Sequence, residues 1–312
     1  MDSAPDDPGS DIDCPFVEKT ATAGPASVGL PAACRITDGH RQPHLPAARC
    51  FDRRPKPGIV SPPMGERIAA TTAAIIVIGD EVLSGKVEEQ NARFLVRELR
   101  NLGVAVRHIE VIPDVTDAIV ASVRRASPNF DHVFTAGGIG PTHDDVTIPA
   151  LADAFRVPVV RSPELADIIR AVTVHDFHER NLRMADIPDG ALLLRGSGAT
   201  ESSWPVVAIR NVYVLPGVPS ILQRKFVMIR DRFRASPFFN RSIYSREGEG
   251  AIADMLDKAA ADFPGVAIGS YPHIDASDHK VLITIDSRDQ ALVDRACEQI
   301  VAGLGAALVR VE

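Results

Sequence analysis

From about Ala69 onward the chain alternates two hydrophobic patterns. The first is a short continuous apolar run that ends in glycine and acid, as in AAIIVIGDE (73–81). Such a run, bounded by a turn signal, reads as a buried strand leading into a loop. The second has a helical period. In NARFLVRELRNLG (91–103), Phe94, Leu95, Leu99 and Leu102 share one stripe, and Gly103 supplies the stop. The alternation continues with a strand in VAVRHIEVIPD (104–114) and a helix in TDAIVASVRRAS (116–127), with Thr116 as its candidate N-cap. A strand in HVFTAGGIG (132–140) and a helix in TIPALADAF (147–155) follow. VPVV is strand-like, and SPELADIIRAVTVHDFHERNLRMA (162–185) reads as one helical stretch. Three short strand-like runs, ALLLR, PVVAIR and VYVLPG, precede a helix in PSILQRKFVMIRDRF (219–233).

Strands and helices that alternate through short connections predict a three-layer α/β/α arrangement around a mostly parallel sheet. In such sheets ligands sit beyond the carboxyl ends of the strands. The polar signals fall there: Gly79-Asp80-Glu81, Pro113-Asp114, Gly137 to Asp145, and Pro216 to Pro219. Four strand-end loops are therefore expected to converge on one crevice. After Phe238 the order becomes β-α-β-β-α-β, which predicts a smaller ferredoxin-like α+β domain. In KVLITIDS, Val281, Ile283 and Ile285 are the inward positions.

Residues 1–66 show neither pattern. They hold 11 of the chain's 24 prolines, and no apolar period lasts a full helix or strand. They are expected to be a disordered extension, with Met64 as a possible alternative start. The division is thus 1–66 extension, 67–237 α/β domain and 238–312 small α+β domain.

Composition narrows the function. A net charge of −7 argues against a nucleic-acid partner, and no apolar run reaches a membrane span. The four cysteines, Cys14, Cys34, Cys50 and Cys297, have no zinc-ligand spacing. Reduced thiols in a cytoplasmic protein are expected.

The candidate chemistry lies in TAGGIGPTHDDVT (135–147). A glycine-rich turn between strand and helix brings backbone N–H groups and a helix's positive end to an anion. Gly137, Gly138 and Gly140 match neither the P-loop nor the dinucleotide fingerprint, and a tight turn alone would also need them. Asp144 and Asp145, with Asp114 from a neighbouring strand end, form a hard-oxygen set suited to a divalent cation such as Mg²⁺. Asp145 could instead cap the helix beginning near Thr147. Asp80 and Glu81 are a further acidic pair that fits a cap or solvated loop equally well. His143 carries no clear role. Ser84 and Ser220 suit phosphate donation better than nucleophilic attack. A side chain at Gly138 is expected to block a ligand while leaving the fold largely intact.

Three stretches together, VIGDEVLSGKVEEQNARFL, TAGGIGPTHDDVT and VYVLPGVPS, resemble the molybdopterin-binding domain family. That family includes molybdenum-cofactor biosynthesis proteins and competence/damage-inducible protein A proteins. The likeness is marked for the molybdopterin-binding-like half of eukaryotic-type FAD synthase, where IRNVYVLPG and the later GSYP (269–272) have counterparts. It covers about residues 72–312.

The resemblance implies ligand binding at Gly137, Gly138, Gly140 and Pro141 and functional aspartates at Asp114 and Asp145. Its motifs extend the candidate ligand-binding set to Gly79, Asp80, Glu81, Gly85, Asn91, Thr142, Pro216, Gly217, Pro219 and Ser220. It implies a small phosphorylated pterin or nucleotide as partner, with molybdopterin as one possible ligand. It also implies a divalent metal, a cytoplasmic protein and a homo-oligomer. The adenylyl-transferring half of FAD synthase does not follow within these 312 residues, so FAD synthesis is not expected of them. Two readings stay open: metal-dependent cleavage of a pyrophosphate of the FAD or ADP-ribose type, and a pterin- or nucleotide-binding module without turnover. Nothing in the sequence identifies a molybdate site.

Overall fold

The computed structural model describes residues 71–172, 177–196, 204–274 and 278–312. The expectations for the proline-rich extension lie outside these residues.

The main sheet has six strands in the order β2-β1-β3-β8-β7-β6. They are β1 (Thr72–Ile78), β2 (Ala105–Ile112), β3 (His132–Ala136), β6 (Leu192–Leu194), β7 (Val206–Ile209) and β8 (Val212–Leu215). The first four in spatial order are parallel, and β7 and β6 continue the sheet antiparallel. β1 shows why the layers form. Its residues are buried on both faces, with Ala73, Ile75 and Val77 in one core and Ala74, Ile76 and Ile78 in the other. The first core is closed by Leu95 and Leu99 of α2 (Asn91–Asn101) and by Leu222 and Phe226 of α6 (Pro219–Ile229). The second is closed by α3 (Thr116–Ala126), α4 (Thr147–Phe155) and α5 (Pro163–Val172), through Ile119, Leu151 and Leu165. The three-layer α/β/α class is borne out.

The run IRNVYVLPG has a structural job in its centre. Arg210, at φ 52°, turns the chain between β7 and β8. The Asn211 amide donates to the carbonyls of Ser127 at 2.9 Å and Phe130 at 2.8 Å. This fastens the β7–β8 hairpin to the entry of β3.

The second sheet is antiparallel in the order β10-β11-β9-β12. It comprises β9 (Phe239–Ser245), β10 (Ala267–Pro272), β11 (Val281–Ser287) and β12 (Leu308–Val311), with α7 (Glu249–Asp262) and α8 (Gln290–Leu304) between them. This is the ferredoxin-like arrangement. Val281, Ile283 and Ile285 face its core, beside the buried free thiol of Cys297.

Two local expectations need correction. The stretch 162–185 is not one helix: α5 ends at Val172, and Glu179–Ala185 is a 3₁₀ turn. The Ala185 carbonyl accepts from Ser162 N at 2.9 Å, so the turn folds back on the start of α5. The strand-like VPVV holds as β4 (Val159–Arg161), which pairs antiparallel with β5 (Asp186–Pro188), a three-residue strand that begins directly after that stretch. Finally, Thr116 is the first residue of α3 and Val115 holds the cap position without a side-chain bond.

Candidate functional site

Because β2, β1, β3 and β8 are parallel neighbours, their carboxyl ends share one edge of the sheet. A cavity of about 1030 Å³ opens there. It is lined by residues from all four strand-end loops: Glu81 after β1, Asp114 after β2, Gly137 to Gly140 with Asp144 and Asp145 after β3, and Pro216 to Pro219 after β8.

The glycine loop is pinned at both ends. Gly137 donates its N–H to the Leu215 carbonyl at 3.1 Å. The Thr147 amide and hydroxyl donate to the carbonyls of Gly138 at 3.0 Å and Gly137 at 2.9 Å. Gly137 has φ 114°, and a Cβ there would lie 2.1 Å from the Ile78 carbonyl oxygen. Gly138 has φ 66°, and its Cβ would lie 2.4 Å from Thr147 Oγ1. Both therefore have to be glycine for the chain to turn. A side chain at Gly138 would damage the fold, contrary to the expectation from sequence. Gly140 has no positive φ, and the nearest atoms to its Cβ would be those of the Asp145 carboxylate, from 2.6 Å. Between the pinned ends, the amides of Gly138, Ile139 and Gly140 have no acceptor among the described residues. Backbone N–H groups are obligatory donors, so this part of the loop presents a row of unmet donors.

The acids stand against that loop. Asp114 Oδ2 accepts from Asp80 N at 2.9 Å, and its Oδ1 lies 3.5 Å from where a Gly138 Cβ would stand. Burial raises the Asp114 carboxyl above its usual range, and the charges of Glu81, Asp80 and Asp144 push the same way. Asp145 turns back to accept from Thr142 N at 2.9 Å and from the Thr142 hydroxyl. It does not cap α4, whose cap position is Val146. Among the described residues no three His, Cys, Asp or Glu side chains converge closely enough to hold a metal alone. One or two carboxylates completed by phosphate oxygens and water suit Mg²⁺.

Other candidates serve from behind. Gly79 ends β1 and donates to the Ile112 carbonyl at 3.1 Å. Gly85 closes the turn after the short helix α1 (Asp80–Leu83), at φ 72°. Asn91 is buried and donates to the Gly217 carbonyl at 2.7 Å, which ties the start of α2 to the loop after β8. Pro141, Thr142 and Ser220 do not line the cavity, and neither do Gly79, Asp80, Gly85 and Asn91. The Thr142 carbonyl accepts from Arg183 at 2.8 Å.

Sequence reasoning missed a second wall. Trp204, Met184 and Met228 line the cavity together with Arg224 and Lys225 of α6. The available signal was position: a helix that follows a strand-end loop sets its first turns beside the crevice.

Residues 74–234, just over half of the chain, match the family described as "Probable molybdopterin binding domain". The chain belongs to the molybdopterin-binding domain family. Residues 237–312 match "FAD synthase, middle domain". Among relatives of this molybdopterin-binding domain chain, "Probable FAD synthase" of Caenorhabditis elegans is 36% identical over 249 residues, covering 72% of this chain and 48% of the relative. The chain thus spans about half the length of that FAD synthase. A protein of Archaeoglobus fulgidus is 32% identical over 226 residues, covering 72% of this chain and 94% of the relative. Among solved structures, the protein CinA of Thermoplasma acidophilum, of unknown function, is 28% identical at a TM-score of 0.47, covering 53% of this chain and 98% of that one. No helix among the described residues is long and apolar enough to cross a membrane.

Proposed function

We propose that the cavity binds a phosphorylated nucleotide of dinucleotide size, or a phosphorylated pterin, and cleaves a pyrophosphate bond of the FAD or ADP-ribose type with a divalent metal. The observation that carries this reading is the row of unmet loop amides beside Asp114 in one cavity of about 1030 Å³. Amides alone suit any anion. Carboxylates beside them would repel that anion unless a cation stood between, so the pairing favours a metal-assisted site over a plain phosphate cradle. The volume is at the upper end for small-molecule sites.

Asp114 and Asp145 are the residues that would hold the metal, with Asp144 at the rim. When bound, a divalent metal supplies charge neutralisation at the phosphate and a water of lowered pKa. The chain's own residues orient the substrate. The amides of Gly138, Ile139 and Gly140 donate to phosphate oxygens, and the fixed turn at Gly137 costs no reorganisation when they do so. The stiff Pro216–Pro219 loop, held by Asn91, walls one side. The "FAD synthase, middle domain" match favours a flavin or adenine dinucleotide over other phosphates.

The test is release of AMP from FAD and from ADP-ribose, measured against Mg²⁺ or Mn²⁺ concentration. Metal-dependent release from either compound is the expected result. Tight binding of a pterin or nucleotide without any release would replace this reading by a binding module without turnover.

A further inference from the structure

The second wall carries an unbalanced charge. Lys225, on α6, is more than half buried, and its Nζ donates to the Trp204 carbonyl. The same ammonium lies 5.8 Å from the centroid of the Trp204 ring. Burial pushes the Lys225 amine down to about 8, and the like charges of Arg224 and Arg195 add to this. Arg195 has its own acid, Glu164. Among the described residues neither Arg224 nor Lys225 has a carboxylate partner. Arg224 is exposed, but Lys225 is a half-buried cation left with a carbonyl and like charges, which costs part of its hydration without a counter-charge in return. Here the cost falls at the wall of a cavity, where an incoming anion would supply the missing counter-charge.

We infer that Arg224 and Lys225 form an anion subsite that receives a phosphate of the ligand without a metal, while Trp204 beside them receives its planar ring. This rests on the proposed nucleotide or pterin binding and adds which part of the ligand is read by which wall. The ligand class is a phosphate carried close to a heterocycle. Guanidinium and ammonium are both strong phosphate donors, and an indole face accepts a flat ring. The glycine loop and its acids do not serve the same purpose, because there the anion needs a cation between. The two walls therefore differ in a way that can be measured: binding at one survives a chelator.

Trp204 is the chain's only tryptophan, so its emission reports on this wall alone. The experiment titrates ADP-ribose, and separately inorganic pyrophosphate, into the full chain in EDTA, following Trp204 emission and the heat of binding. ADP-ribose is expected to bind with a change of emission. Lys225→Met, which keeps the side chain's length, should weaken it about 10- to 100-fold, the usual worth of a charge-assisted hydrogen bond. Arg224→Gln should weaken it similarly, and both variants should melt no lower than wild type. Unchanged affinity in both Lys225→Met and Arg224→Gln overturns the subsite even where metal-dependent AMP release persists. Absence of any ADP-ribose or pyrophosphate binding to wild type in EDTA also overturns it, and leaves the hydrolytic reading to its own metal-dependent assay.

Discussion

At Asp114 a carboxylate is held half-buried among other carboxylates, with only the Asp80 amide to favour its charge. Its folded-state pKa therefore lies above the ordinary 3.8. The native protein binds that proton more tightly than the unfolded chain, so this group's contribution to stability falls as pH rises from 3.8 through the raised value. Asp114→Asn removes the charge and retains an oxygen to accept from Asp80. The variant is expected to melt at or above the wild-type temperature at pH 7, with the difference closing below about pH 3.8, while metal-dependent AMP release drops by orders of magnitude. Thermal melts at pH 7 and pH 3.5 beside the FAD assay check both halves, and a clear loss of stability at pH 7 would show Asp114 to be structural. The glycines of the loop divide in the same manner. Gly138→Ala forces a side chain to φ 66° and onto Thr147, so it should cost about 1–3 kcal/mol of stability. Gly140→Ala meets first the Asp145 carboxylate, the end of a side chain that can turn away from Thr142. It should fold normally and lose hydrolysis more than chelated binding. Equal melting temperatures for the two variants would contradict this division.

Elements were legible where burial forced the pattern. β1 is apolar at every position from Ala73 to Ile78 because it packs on both faces, and α2 shows its stripe because only one side meets the sheet. β4 was legible as the strand-like VPVV, but β5 was not: three residues, two of them buried, carry no period. The 162–185 stretch misled because its apolar spacing suits a 3₁₀ turn as well as an α-helix over so few residues. The site divides along the same line. Strand-end loops announce themselves by glycine, proline and acid, and parallel topology must bring them to one edge. Trp204, Arg224 and Lys225 sit just before a hairpin and within a helix, where their letters look like ordinary surface. Asn91 shows how elements cooperate at this edge. It reaches from the first residue of α2 to the Gly217 carbonyl. Asn91→Ala should cost about 1 kcal/mol and free the Pro216–Pro219 loop, raising KM for FAD more than it lowers kcat. A stability loss with unchanged KM would confine Asn91 to a packing role.

The whole molecule depends on how the two sheets are joined. β11 ends beside the C-terminal end of α2, and the junction there is cationic. Arg288 donates to the Gly103 carbonyl at 2.6 Å and to the Ser236 carbonyl, while Arg100 pairs with Asp286. Phe238 lies under both guanidiniums, 4.3 Å from Arg288 and 5.3 Å from Arg100 measured to its ring centroid. Gly103 belongs here too: its φ is 83°, and a Cβ would lie 2.3 Å from the Ser236 carbonyl oxygen. The residue that stops α2 thus also lets the connection to the small domain pass close by. Burial, reinforced by the charge of Arg107, lowers the Arg288 pKa. A guanidinium stays protonated all the same, so its worth lies in the carbonyls that it joins. Arg288→Met keeps the contact with Phe238 and deletes both bonds. The cost to the junction should be about 2–4 kcal/mol, taking two charge-assisted bonds at the lower end of their range. Each sheet has its own core, so this cost should fall on their coupling. Calorimetry is expected to show one melting transition for wild type and two for Arg288→Met, with the α/β domain's amides still protected from hydrogen exchange after the small domain's have exchanged. A single transition at the wild-type temperature would mean that the sheets are held together by contacts other than this latch.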